Sequence, residues 1–105
     1  MEQFRIVLTT ASSRDEAKRI AQALVEGRLA ACVNLIEGVE SIYRWQGALE
    51  EAAEVLLLIK TNVEKLEALE TAVRRLRSYD VPEFLIFDVN GGSAAYLKWL
   101  RDSLT

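Results

Sequence analysis

The chain has 105 residues, half of them apolar and 28% charged, which suits one folded globular domain spanning 1–105. Its net charge of −3, with 13 basic residues scattered among 16 acidic ones, argues against nucleic acid or an anionic membrane as a partner. No apolar run approaches the roughly 18 residues of a membrane span, and the first residues lack the features of a secretion signal. Since the lone Cys32 cannot close a disulfide within the chain, we expect a cytoplasmic protein.

The first unit of the chain is predicted to be a strand followed by a helix. Apolar and polar positions alternate over residues 4–9, which is typical of a strand. Ser13 and Glu16 then have the spacing of a capping box, in which the serine bonds forward and the glutamate reaches back. Apolar residues follow at helical spacing, and Gly27 marks the predicted end of the helix.

The middle of the chain is predicted to be a long hairpin. Residues 30–46 favour an extended strand, with a kink or bulge at Glu37-Gly38. Gln46-Gly47 predicts the hairpin tip, and the returning strand over residues 54–60 is the most apolar segment of the sequence.

The remaining residues predict a helix, a strand and a closing helix. Thr61 and Glu64 have the spacing of a second capping box, and three basic residues at the end of that helix suit the negative end of its dipole: Arg74, Arg75 and Arg77. Pro82 ends this unit, residues 84–89 form a fourth strand, and Ser93 caps a short last helix.

The predicted fold class is α+β. The order β-α-β-β-α-β corresponds to a ferredoxin-like sandwich of four antiparallel strands with the crossover helices on one face, here extended by a C-terminal helix. Right-handed crossovers place the first and third strands in the centre of the sheet.

Two features predict that the domain associates with copies of itself. A straight strand over residues 30–46 would span about 55 Å, whereas a compact domain of this length is roughly 33 Å across. The third strand is also apolar on both faces, with Leu56 and Leu58 on one and Val55, Leu57 and Ile59 on the other, although helices cover only one face. A thick monomeric core is the alternative interpretation of these faces.

The sequence offers little support for catalysis. There is no histidine, which excludes triads that use one, and a single thiol cannot form a soft-metal site. Glu50, Glu51 and Glu54 lack the spacing of a calcium loop and fit a solvated hairpin. An RNA-recognition domain would need aromatic residues on the third strand. An acylphosphatase-like enzyme would need a glycine-rich anion cradle before Arg14. We therefore expect no enzymatic activity.

Five segments carry a family resemblance, in this order: 29–34, 41–47, 54–61, 79–83 and 96–100. Together they make the chain resemble the CutA divalent-cation tolerance proteins. The resemblance implies a homotrimer whose long β-hairpins pair across subunits, with a non-enzymatic role in divalent metal-ion tolerance or response. The family's likeness to PII-type signalling proteins implies an alternative, a trimeric sensor that binds a small anion or nucleotide in clefts between subunits.

The resemblance also suggests where a ligand would bind. We expect the inter-subunit cleft to use exposed aromatic residues beside charges: Tyr43, Trp45, Lys60, Tyr79 and Glu83. Tyr43 and Trp45 could equally serve only to hold the trimer together. Family positions associated with copper carry Thr9 in place of cysteine and Arg77-Ser78 in place of His-Pro, which leaves Glu83 as a weak metal ligand. The expected cofactor is therefore at most a divalent cation bound weakly through oxygen.

Overall fold

The structure, a computed structural model, describes residues 3–78 and 81–105, so Tyr79 lies outside the described residues. The described secondary-structure elements follow in chain order: β1 Phe4–Ala11, α1 Arg14–Glu26, β2 Cys32–Trp45, β3 Ala48–Asn62, a 3-10 turn Val63–Lys65, α2 Leu66–Leu76, β4 Leu85–Asp88 and α3 Ala94–Ser103. This order confirms the prediction from the sequence, although β4 is shorter than the predicted segment 84–89.

The sheet confirms the ferredoxin-like topology. Within the described ranges its strand order is β2-β3-β1-β4, and all neighbouring strands are antiparallel. The predicted central strands, β1 and β3, are therefore the central ones. The main core lies between one sheet face and helices α1 and α2, and its fully buried side chains include Val7, Ile20, Leu24, Leu57, Ile59, Leu69 and Val73.

The start of α1 follows the predicted capping chemistry with one difference. The Ser13 hydroxyl accepts a hydrogen bond from the Glu16 amide at 3.1 Å. The Glu16 carboxylate reaches back to the Ser12 amide at 2.8 Å rather than to Ser13, and the same oxygen, Oε1, also accepts from the Ser12 hydroxyl at 3.0 Å. At the other end, Gly27 is the C-cap residue, as predicted.

The predicted second capping box is wrong. Thr61 still belongs to β3 and is fully buried, and its hydroxyl donates to the Leu29 carbonyl at 2.8 Å. The cap is instead Asn62, whose side-chain oxygen accepts from the Lys65 amide at 3.2 Å. Asn62 is as good a cap residue as threonine, and a 3-10 turn precedes the α-helix proper.

Arg77 also differs from its predicted role at the helix dipole. It is the C-cap residue of α2, with φ −91° and ψ 152°, and only 8% of its surface is exposed. Its side chain is directed into the protein, where the guanidinium donates to the Thr9 hydroxyl at 2.6 Å. Arg74 and Arg75 remain in the last helical turn.

The second sheet face is only partly covered. Helix α3 packs there and forms a smaller cluster with β1 in which Phe4, Ala31, Leu100 and Leu104 are buried. The short strand β4 lies at one edge of the sheet, and its apolar residues are about half exposed: Leu85 52%, Ile86 48% and Phe87 50%. The prediction that the helices leave apolar strand surface uncovered is thus confirmed for the single chain.

Strands β2 and β3 continue beyond the sheet as a long two-stranded arm, defined here as residues 39–54. The predicted bulge lies where Glu37 and Gly38 together oppose Val55, and Gly38 has φ +78°. The arm turns at Gln46 and Gly47, with φ 52° and 83°, which is the conformation of a tight hairpin turn. The arm makes the molecule 45 Å long but only 25 Å wide. In the described ranges, none of the helices has the length and apolar character that crossing a membrane requires.

Candidate functional site

A groove of about 520 Å³ lies between the arm and residues on the way to β4. We call it the arm groove. Its described lining residues come from the arm, the end of β1 and three positions between α2 and β4: Thr10, Tyr43, Trp45, Glu50, Ala52, Glu54, Ser78, Val81 and Glu83. Its volume lies within the range usual for small-molecule sites.

The arm forms one wall of the groove through strand alternation. Tyr43 pairs with Glu50 across the arm, so the two side chains lie on the same face. Trp45 follows Tyr43 by two residues, and Ala52 and Glu54 follow Glu50 at the same interval, which keeps all of them on that face. Tyr43 and Trp45 are 43% and 45% exposed, so their rings are accessible in the single chain.

The opposite wall is held in place by a buried polar contact beneath it. The Thr9 hydroxyl donates to the Glu83 carbonyl at 2.5 Å and accepts from Arg77 at 2.6 Å. Thr9 is fully buried and cannot form hydrogen bonds with water, so these two bonds satisfy its hydroxyl group. The backbone at Glu83 is thereby fixed against β1 while the residue itself stays exposed.

A second contact fixes the beginning of the same wall. One oxygen of the Glu16 carboxylate accepts from the Ser78 amide at 3.2 Å, and the other binds Ser12. Burial by itself would raise the pKa of Glu16, but the hydrogen bonds from Ser12 and Ser78 outweigh it and hold that pKa below the usual value. The residue is therefore an anion at neutral pH, although it is only 5% exposed.

The structure brings together three of the five predicted cleft residues, Tyr43, Trp45 and Glu83. Lys60 lies on β3 six residues beyond Glu54, or about 20 Å along the strand. There its ammonium is 3.4 Å from the Tyr96 hydroxyl and 5.7 Å from the centre of the Tyr96 ring. The fifth residue, Tyr79, lies outside the described residues.

The sequence does not predict that the other lining residues meet in this groove. It presents Glu50 and Glu54 only as a candidate cation site with the wrong spacing, although their separation of four residues places them on one face of the strand. Ser78 and Val81 enter through the segment after α2, whose path no periodic pattern predicts. In residues 3–78 and 81–105, no three acidic, cysteine or histidine side chains are grouped closely enough to hold a metal ion, so Glu83 has no such companions there.

Fold and groove together define a ferredoxin-like sandwich whose second and third strands extend into an arm beside an acidic, aromatic groove. A comparison with protein families finds that residues 5–103 match the family described as CutA1 divalent ion tolerance protein. The chain belongs to this family.

Individual relatives agree with this assignment. The chain is 47% identical over 98 residues to the "Divalent-cation tolerance protein CutA" of Thermus thermophilus, covering 93% of this chain and 95% of the relative. A solved structure of the divalent cation tolerance protein Cut A1 from Thermus thermophilus superimposes with a TM-score of 0.94 at 46% identity, over the full length of both chains. "Protein CutA, chloroplastic" of Arabidopsis thaliana is 42% identical over 93% of this chain, which spans about half of that relative, 54%.

Proposed function

We propose that this protein acts as a cytoplasmic homotrimer in divalent metal-ion tolerance or response, without enzymatic activity. The family assignment supports the link to divalent ions. The resemblance to CutA proteins supports a trimer, and the shape of the chain supports association with further copies of itself.

The observation that carries the proposal is the apolar surface left uncovered on the arm and on β4. Ile42 and Leu49, on the arm face opposite the groove, are 66% and 68% exposed. On β4, three consecutive apolar residues are about half exposed, and the strand has one free edge within the described sheet. Exposed edges and apolar strands of this kind promote aggregation unless another chain covers them.

The direct test is the native mass. One chain has a mass of 11.8 kDa, so a trimer has a mass of about 35 kDa in native mass spectrometry or light scattering. Ile42→Lys combined with Phe87→Lys places charges on the uncovered surface and should shift the protein towards the monomer. Val25→Lys is the matched control, because Val25 is 43% exposed on α1, away from the arm and β4. A monomeric wild-type protein at micromolar concentration would refute the trimer.

Ligand binding separates this proposal from the PII-like alternative. The arm groove carries Glu50, Glu54 and Glu83, which favour a cation over a nucleotide or another small anion. Lys60 beside Tyr96 is a cationic surface that an anion could use instead. Calorimetric titration with divalent ions and with nucleotides distinguishes the two functions, and saturable nucleotide binding weakened by Lys60→Met would favour the sensor.

A further inference from the structure

We draw no further inference here: the strongest candidate, the groove between helix α1 and the edge strand β2 that is lined by Ala21, Gln22, Val25, Glu26 and Val33, is an unpartnered and mostly apolar surface, and nothing in the structure shows what covers it.

Discussion

The guanidinium of Arg77 donates a 2.6 Å hydrogen bond to the hydroxyl of Thr9, and this hydroxyl in turn donates a hydrogen bond to the backbone carbonyl of Glu83. One buried hydroxyl thereby connects the end of α2, the central strand β1 and the outer wall of the arm groove. The contact couples the stability of the domain to the position of the groove wall. A polar group buried there that lost its protein partner could not form a hydrogen bond to water instead.

Thr9→Val keeps the shape of the side chain and removes both hydrogen bonds of the hydroxyl. We expect the free energy of unfolding to fall by about 1–3 kcal/mol, because the Glu83 carbonyl and the Arg77 guanidinium both lose a partner. Urea unfolding at a fixed protein concentration measures the change. Thr71→Val, on the exposed surface of α2, should change it by less than about 0.5 kcal/mol. Equal effects of the two substitutions would show that the Thr9 bridge contributes nothing to stability.

Glu16 should make the free energy of unfolding depend on pH in the acidic range. Its pKa in the folded protein lies below that of the unfolded chain, so its contribution is complete above the unfolded pKa, near 4.5, and is lost as pH falls through the folded pKa. Glu16→Gln should be less stable than the wild type at pH 7 and should lose less stability on acidification below about pH 5. Chemical unfolding at a series of pH values gives both curves.

Glu26→Gln provides the comparison for this pH effect, since Glu26 is exposed at the other end of the same helix. Its curve should run parallel to that of the wild type. If the Glu16→Gln curve also ran parallel, the Ser12 and Ser78 hydrogen bonds would not stabilise the ionised carboxylate.

Gly38→Ala tests the bulge at the base of the arm. The backbone there has φ +78°, which costs an alanine roughly 1–2 kcal/mol, whereas an added Cβ would meet no atom within 4 Å. Thermal unfolding should therefore show a clear loss. Gly91→Ala also meets open space but lacks a positive φ, so it should be neutral or stabilising by up to about 1 kcal/mol. A harmless Gly38→Ala would mean that the bulge relaxes in solution.

Ser93→Ala should weaken the start of α3. The Ser93 hydroxyl accepts from the Tyr96 amide at 3.2 Å, and loss of such a cap costs about 1 kcal/mol. Ser103→Ala is the control, because the Ser103 hydroxyl bonds back to the Trp99 carbonyl inside the helix, which adds little stability. Hydrogen exchange of the α3 amides should accelerate only in Ser93→Ala, and unchanged exchange would argue against the cap.

Local chemistry explains how much of the fold the sequence could predict. Ser13 and Ser93 are predictable as caps because a helix cap depends only on residues up to three positions apart. Gly38 is predictable as part of a bulge because bulges favour glycine. Thr61 and Asn62 are adjacent residues with similar capping ability, so only the end of β3 decides between them. Arg77 looked like an exposed helix-end cation, since burial of its side chain depends on Thr9, 68 residues away.

The candidate site was predictable to the extent that it lies on one strand pair. Tyr43 and Trp45 share a face through simple alternation, and the sequence placed them together. Glu83 comes from a segment without a periodic pattern, and only the family resemblance predicts its place in the site. The resemblance also groups Lys60 with them, although within one chain the length of β3 places Lys60 near α3.

The bulge at Glu37-Gly38 also decides which side chains the arm presents to its groove. Before the bulge, even-numbered residues of β2 pair with even-numbered residues of β3, as Ile36 does with Leu56. After the bulge, odd-numbered residues of β2 pair with even-numbered residues of β3, as Val39 does with Glu54. If the ladder continued without the bulge, Ile42 and Arg44 would stand opposite Glu50 and Ala48, and both aromatic rings would turn to the other side. A change in parity at Gly38, about 26 Å from the tip by strand geometry, thus decides whether Glu50 and Glu54 share their face of the arm with two aromatic rings or with Ile42 and Arg44.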